Sequence, residues 1–257
     1  MCRWLPILMS FPALLMQADD RADKLAAAGV AEFTAAYQAW DGDRFGAAAE
    51  LFRRAATNTP TSGTLFYWLG TAQFHRLLQL QTRPASSTNQ LAAEAAMDAA
   101  IDALSRAVKL DERNGESHAL LGTLYGMKIG DSTFRALRFG PRVAKHQKKA
   151  LEFGSENPRV RYLLGTCQFH TAKKPASQRE ALKTLLAADA LYLKEGVQAA
   201  GPLEPRWGRS SCLTFIGRSY ELLGQGSEAA DYFRKALAEH PADRFAKEGL
   251  ARVTEKK

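Results

Sequence analysis

The chain has 257 residues, of which 46% are hydrophobic and 24% charged, and 35 Lys+Arg against 27 Asp+Glu give a net charge of +8. That balance belongs to a folded chain and excludes a disordered or fibrous one. Three cysteines are too few for a disulfide framework, and no run of about 20 apolar residues exists to make a spanning helix.

Residues 1–18 read MCRWLPILMSFPALLMQA: Arg3 gives a positive start, residues 4–16 an apolar run, and Ala18 a small residue before Asp19 and Asp20. This is the layout of a secretory signal peptide cut after Ala18, so the chain is expected to be exported, periplasmic or secreted. Cys2 would leave with it. Cys167 and Cys212 are then the remaining thiols, each expected as a free cysteine on a helix.

From Asp19 onward Ala and Leu dominate and no alternating strand pattern appears, so the chain reads as all-α. Comparing the sequence with itself shows a recurring motif. Ala48-x3-Phe52-x2-Ala55-x4-Pro60 returns as Ala229-x3-Phe233-x2-Ala236-x4-Pro241. Ala100-x3-Leu104-x2-Ala107 and Ala181-x3-Leu185-x2-Ala188 lie between them, with a weaker copy at Val143-x3-Gln147-x2-Ala150. Leu69-Gly70, Leu121-Gly122, Leu164-Gly165 and Ile216-Gly217 stand ahead of the later copies, and Ala35-Ala36 ahead of the first. Small residues at these spacings let two antiparallel helices approach closely, and the large residue one turn on fills the gap between pairs. Glycine within a helix costs about 1 kcal/mol, which only close packing repays.

This pattern resembles the tetratricopeptide repeat, a 34-residue helical hairpin with a W-x2-L-G-x2-Y…A-x3-F…P signature. Ile216, Gly217, Tyr220, Gly224, Ala229, Phe233, Ala236 and Pro241 fall in its places, as do Phe45, Ala48, Phe52, Ala55 and Pro60 near the front. The chain is also similar to exported bacterial proteins of this repeat type, through Asn157-Pro158-Arg159-Val160 and Pro205-Arg206-Trp207-Gly208. The resemblance implies a right-handed α-solenoid of about five hairpins, in units 29–62, 63–114, 115–157, 158–209 and 210–242. A capping helix would follow at 243–257, started by Asp243. The steps from Ala36 through Gly70, Gly122 and Gly165 to Gly217 are 34, 52, 43 and 52 residues. The excess falls in 79–94, where Arg83 to Asn89 reads as a loop, in 130–141, and in 173–175 with 195–207. Such insertions either carry function or lengthen helices.

Catalytic signatures are missing: the glycines recur with the repeat, and no metal-binding Cys or His spacing or nucleophile elbow occurs. The chain is expected to be no enzyme and to need no cofactor or metal. His75 and His170, two units apart, would stand roughly 20 Å from each other, too far to share an ion.

Two candidate surfaces remain. Phe66-Tyr-Trp-Leu-Gly-Thr-Ala-Gln-Phe-His75 and Arg161-Tyr-Leu-Leu-Gly-Thr-Cys-Gln-Phe-His170 repeat Tyr, Thr, Phe and His at identical offsets. The family resemblance places first helices on the concave surface, where peptides bind. Phe33, Tyr37, Tyr67, Thr71, Phe74, His75, Tyr162, Thr166, Phe169 and His170, with Arg218 and Glu221 at the far end, are the expected groove; packing between helices explains the same residues equally well. The second surface is Arg135, Arg138, Arg142, Lys145, Lys148 and Lys149, with no acid between Asp131 and Glu152. It suits an acidic peptide, an anionic envelope polymer or phospholipid headgroups, or else is a solvated helix face. Nucleic acid fits poorly with export and lacks an aromatic-interleaved module. The leading expectation is a scaffold for a peptide or protein segment; a self-assembling envelope component or homo-oligomer, and a binder of an anionic partner, are the alternatives.

Overall fold

In a computed structural model, residues 11–255 are described, with side chains from Asp20 onward. Eleven helices occur among these residues, and no strand. They form five antiparallel pairs: α1 (Phe11–Ala39) with α2 (Gly42–Asn58), α3 (Gly63–Gln81) with α4 (Ser87–Leu110), α5 (Gly115–Ile129) with α6 (Thr133–Gly154), α7 (Pro158–Thr171) with α8 (Pro175–Gly196), and α9 (Arg209–Leu222) with α10 (Gly226–Glu239). A final helix, α11 (Arg244–Thr254), packs on the last pair. Residues 1–10 of the expected signal lie outside the described part; 11–18 are the first turns of α1.

Side-chain caps set where most helices start. Asp41, Ser62, Ser86, Asn114, Ser132, Asn157 and Asp243 each accept a backbone N–H from the first turn of the helix that follows. The repeated small and large residues do what their spacing requires. Ala48, Phe52 and Ala55, Ala100 and Leu104, Ala181, Leu185 and Ala188, and Ala229, Phe233 and Ala236 are all fully buried. A Cβ on Gly70 would lie 2.4 Å from Leu104, and one on Gly217 would lie 2.8 Å from Phe233, so the second helix rides directly on these glycines. The third pair is looser: at Gly122 the nearest atom, on Gln147, is 3.4 Å from such a Cβ.

The insertions take different routes. The first leaves only a short link at 82–86 and otherwise lengthens α3 and α4. The second, over 130–141, is a turn followed by helix. Ser132 caps α6, which runs 22 residues straight through Pro141. Proline there removes one intrahelical hydrogen bond and leaves the Leu137 carbonyl to water, which is tolerable because both residues are exposed. The last insertion is a true loop, residues 197–208, broken by Gly201, Pro202 and Pro205.

The stack curls until its ends meet. The Tyr37 hydroxyl on α1 lies 3.1 Å from the Ser211 hydroxyl on α9, and His240 Nε2 donates to the Gln38 carbonyl at 2.9 Å. The loop 197–208 then crosses the concave side of this closed curve.

Candidate binding cavity and basic helix

Three tryptophan and tyrosine contacts hold that loop in place. Trp68 Nε1 on α3 donates to the Leu203 carbonyl at 2.9 Å. Trp207 Nε1 donates to the Tyr67 hydroxyl at 3.0 Å, and the Trp207 ring is only 3% exposed. Its ring centre is 4.9 Å from that of His75, edge to face. Gly208 ends the loop at φ 104°, a left-handed turn that needs glycine, with the Tyr192 hydroxyl occupying the space a side chain would fill.

Beneath the loop lies a buried polar network. Glu116 on α5 accepts from the Tyr67 hydroxyl, from Asn157 Nδ2 at 2.6 Å and from Arg159 Nε at 2.8 Å. Arg159 also donates both terminal nitrogens to Glu195 at the end of α8, at 2.8 and 2.5 Å. Burial alone would weaken the hold of Arg159 on its proton; the Glu116 charge and the Glu195 hydrogen bonds outweigh it and raise the guanidinium above its ordinary value. The Tyr67 hydroxyl is held well above the usual phenol range by burial and by the neighbouring Glu116 charge. One charged cluster thus ties α3, α5, α7 and α8 together. Removing either partner of such a buried ion pair leaves an uncompensated buried charge, which is strongly destabilising.

The expected groove residues therefore divide. Phe33, Tyr67, Thr71, Phe74, His75, Thr166 and Phe169 are buried, and most of them form interior rather than open surface. Thr71 and Thr166 spend their hydroxyls on the backbone carbonyls of Tyr67 and Leu163. His75 Nδ1 donates to the Thr71 carbonyl at 2.9 Å, its ring sits among Phe33, Phe45, Tyr37 and Trp207, and burial lowers its pKa to about 4, so it is neutral. Glu221 stands apart and takes both nitrogens of an Arg252 fork on α11 at 2.8 and 2.9 Å.

Tyr37, Tyr162, His170 and Arg218 come together elsewhere. With Trp40, Leu78, Phe215, His240 and Phe245 they border a cavity of about 320 Å³ where the first and last hairpins meet. Its wall carries five aromatic rings together with Ser211, Thr214, Arg218, Asp243 and Arg244. The Arg218 guanidinium lies over the rings of Phe169 and Phe215, at 4.9 and 5.1 Å, and burial makes its proton easier to lose. Burial, and then the Arg218 charge, lower the pKa of His170. The cavity is apolar with a few convergent polar groups, the usual character of a ligand site. Trp40, His240 and Phe245 could not be recognised from the repeat, because they lie at the two ends of the chain and meet only through the curl.

All six basic candidates lie on α6. Arg135, Arg138, Lys145 and Lys148 are exposed. Arg142 is exposed too, with its guanidinium over Tyr125 and Phe139, and Lys149 pairs with Glu112 at 3.5 Å. Behind the helix, His118 and His146 face each other with their Nδ1 atoms 2.8 Å apart, and His118 Nε2 donates to the Glu112 carbonyl at 3.1 Å. Burial, then the neighbouring His118 and Lys145, lower the pKa of His146 to about 4. Cys167 and Cys212 are free, the first half-buried and the second buried. Among the described residues no three His, Cys, Asp or Glu side chains are grouped to hold a metal, and no helix is long and apolar enough to cross a membrane.

Five stacked hairpins, a shared interior and a polar-faced last helix define a tetratricopeptide-repeat solenoid. The fold matches TTC0263, a thermophilic tetratricopeptide-repeat protein of Thermus thermophilus, with a TM-score of 0.59 at 18% identity, over 88% of this chain and 98% of that one. The MamA protein matches with a TM-score of 0.42 at 17% identity, over 94% of this chain and 96% of that one. No curated protein matches the sequence significantly. Residues 33–256 match the model of the family described as regulator of microtubule dynamics protein 1-3, and the chain belongs to that family.

Proposed function

We propose that the protein is a non-enzymatic interaction scaffold that takes a peptide or protein segment in the cavity between its first and last hairpins. Arg218 receives an acidic side chain or terminal carboxylate there, and the rings of Tyr37, Tyr162 and Phe215 receive the apolar part of the segment. The carrying observation is the Arg218 guanidinium, held against the rings of both Phe169 and Phe215 at the cavity wall and only part-exposed. A planar fork held in that way is ordered before a carboxylate arrives, so little side-chain freedom is lost on binding. The concave face as a whole does not serve, because Trp207 and its loop fill it.

The test is selection of short peptides from a displayed random library on the full chain, followed by affinity measurement on Arg218→Ala. A charged hydrogen bond is worth about 1.5–3 kcal/mol, so affinity for the selected acidic peptides should fall roughly 10- to 100-fold. Selected peptides that bind Arg218→Ala as well as the parent would end the reading. The further proposal of export rests on residues 1–18, and a mature chain starting at Asp19 by mass spectrometry is its test.

A further inference from the structure

The second helix of each hairpin normally seals the stack. Seven residues of α2 are buried, five each of α4 and α8 and four of α10, but among the 22 residues of α6 only Ala150 is. Its outer face is thus unpartnered along nearly its whole length. At 100° per residue, Phe134, Leu137, Arg138, Pro141, Lys145 and Lys148 all point within about 60° of one direction, spread over about 21 Å. All six are exposed, Phe134 by 75% and Leu137 by 77%. The stripe is apolar at its N-terminal end and basic toward its C-terminal end, with Arg135 and Arg142 on its flank. Glu152, one turn beyond Lys148, is the first acid on it.

We propose that α6 docks this protein on an anionic lipid bilayer, with Phe134 and Leu137 entering the boundary between headgroups and acyl chains while Arg138, Lys145 and Lys148 lie over lipid phosphates. Isolated exposed apolar residues are ordinary on a protein surface. Here two stand one turn apart at the head of a basic stripe, which is the composition of a helix that lies in a membrane interface. Charge complementarity selects an anionic partner, and the apolar pair selects a bilayer among anionic partners. Phe134 and Leu137 project from a convex helix, so a protein partner would need a matching pocket, whereas a fluid interface accepts a convex apolar pair anywhere. Basic side chains near an anionic leaflet each add attraction, and salt screens it. The surface lies on the third hairpin and is independent of the cavity bordered by Arg218.

The experiment is co-sedimentation of the full chain with vesicles of phosphatidylcholine alone and of phosphatidylcholine with about one-third phosphatidylserine. The expected result is binding to the anionic vesicles that weakens as salt rises. Partitioning should drop about tenfold in Phe134→Ser/Leu137→Ser, and by more than tenfold in Lys145→Glu/Lys148→Glu. Thermal melts identical to the parent's show that each variant is folded. Equal binding to both vesicle types, or no binding, overturns the proposal. So does anionic binding left unchanged by Phe134→Ser/Leu137→Ser, which would leave charge as the sole attraction and remove the ground for choosing a bilayer over other anionic partners.

Discussion

Two of the segments that break the 34-residue period do opposite things. The loop 197–208 turns inward, burying Trp207 against His75 and Tyr67 and closing the concave face. The head of α6 turns outward, leaving Phe134 and Leu137 in water. Both carry large apolar side chains beside arginines. The difference lies in the backbone. Gly201, Pro202 and Pro205 prevent helix in the first, so the chain can fold back over the aromatic faces of α3 and α7, and Arg206 bonds the Gln198 carbonyl and the Glu204 carboxylate of its own loop. In the second, the Ser132 cap and helix-compatible residues extend a rod already paired with α5, and a rod can present only one side to its partner. An insertion is absorbed into the core when its backbone is free to turn, and becomes surface when it is held straight.

The contrast can be broken first at Trp207. If the loop is core, Trp207→Ala should cost about 3–5 kcal/mol in urea unfolding, the range for removing a large buried aromatic; a cost below about 1 kcal/mol would make the loop a detachable lid. The next effect is acid sensitivity. His75 is neutral in the fold with a pKa of about 4, against 6.5 in the unfolded chain. The unfolded state therefore binds the extra proton between these values, so the His75 contribution is intact above about pH 6.5 and is lost as pH falls toward 4. The loss is on the order of 3 kcal/mol. His118, His146 and His170 are shifted in the same direction, so a His75→Phe variant should lose only part of the slope in a series of urea melts. The smallest effect belongs to α6. Phe134→Ser/Leu137→Ser should leave stability within about 0.5 kcal/mol of the parent, as exposed substitutions do, and a larger loss would mean that this face is packed against something.

Much of the architecture was legible before any coordinates. Ala48, Phe52, Ala55 and their counterparts announce tight helix pairs because their spacing repeats the helical period, and Pro60 and Pro241 mark where the first and last pairs stop. The Tyr, Thr, Phe and His repeated in α3 and α7 were equally visible. Their role was not. A residue facing the inside of a solenoid looks the same in sequence whether that inside is open or filled, and here Trp207, far from Tyr67 along the chain, fills it. Nor did Pro141 and Gly140 betray that α6 runs through them, since the local preference for a turn is outweighed by pairing with α5 along the rest of the helix.

What the sequence determined alone was periodic: the helices, the close approach at Gly70 and Gly217, and the concentration of positive charge on α6. Each depends on neighbours within one or two turns, or on the adjacent hairpin. The tertiary structure alone decided the curl that brings Tyr37 to Ser211, the seat of Trp207, and the bareness of α6. These depend on small rotations summed over five hairpins and on where an aperiodic loop finds a partner, quantities that no local spacing encodes.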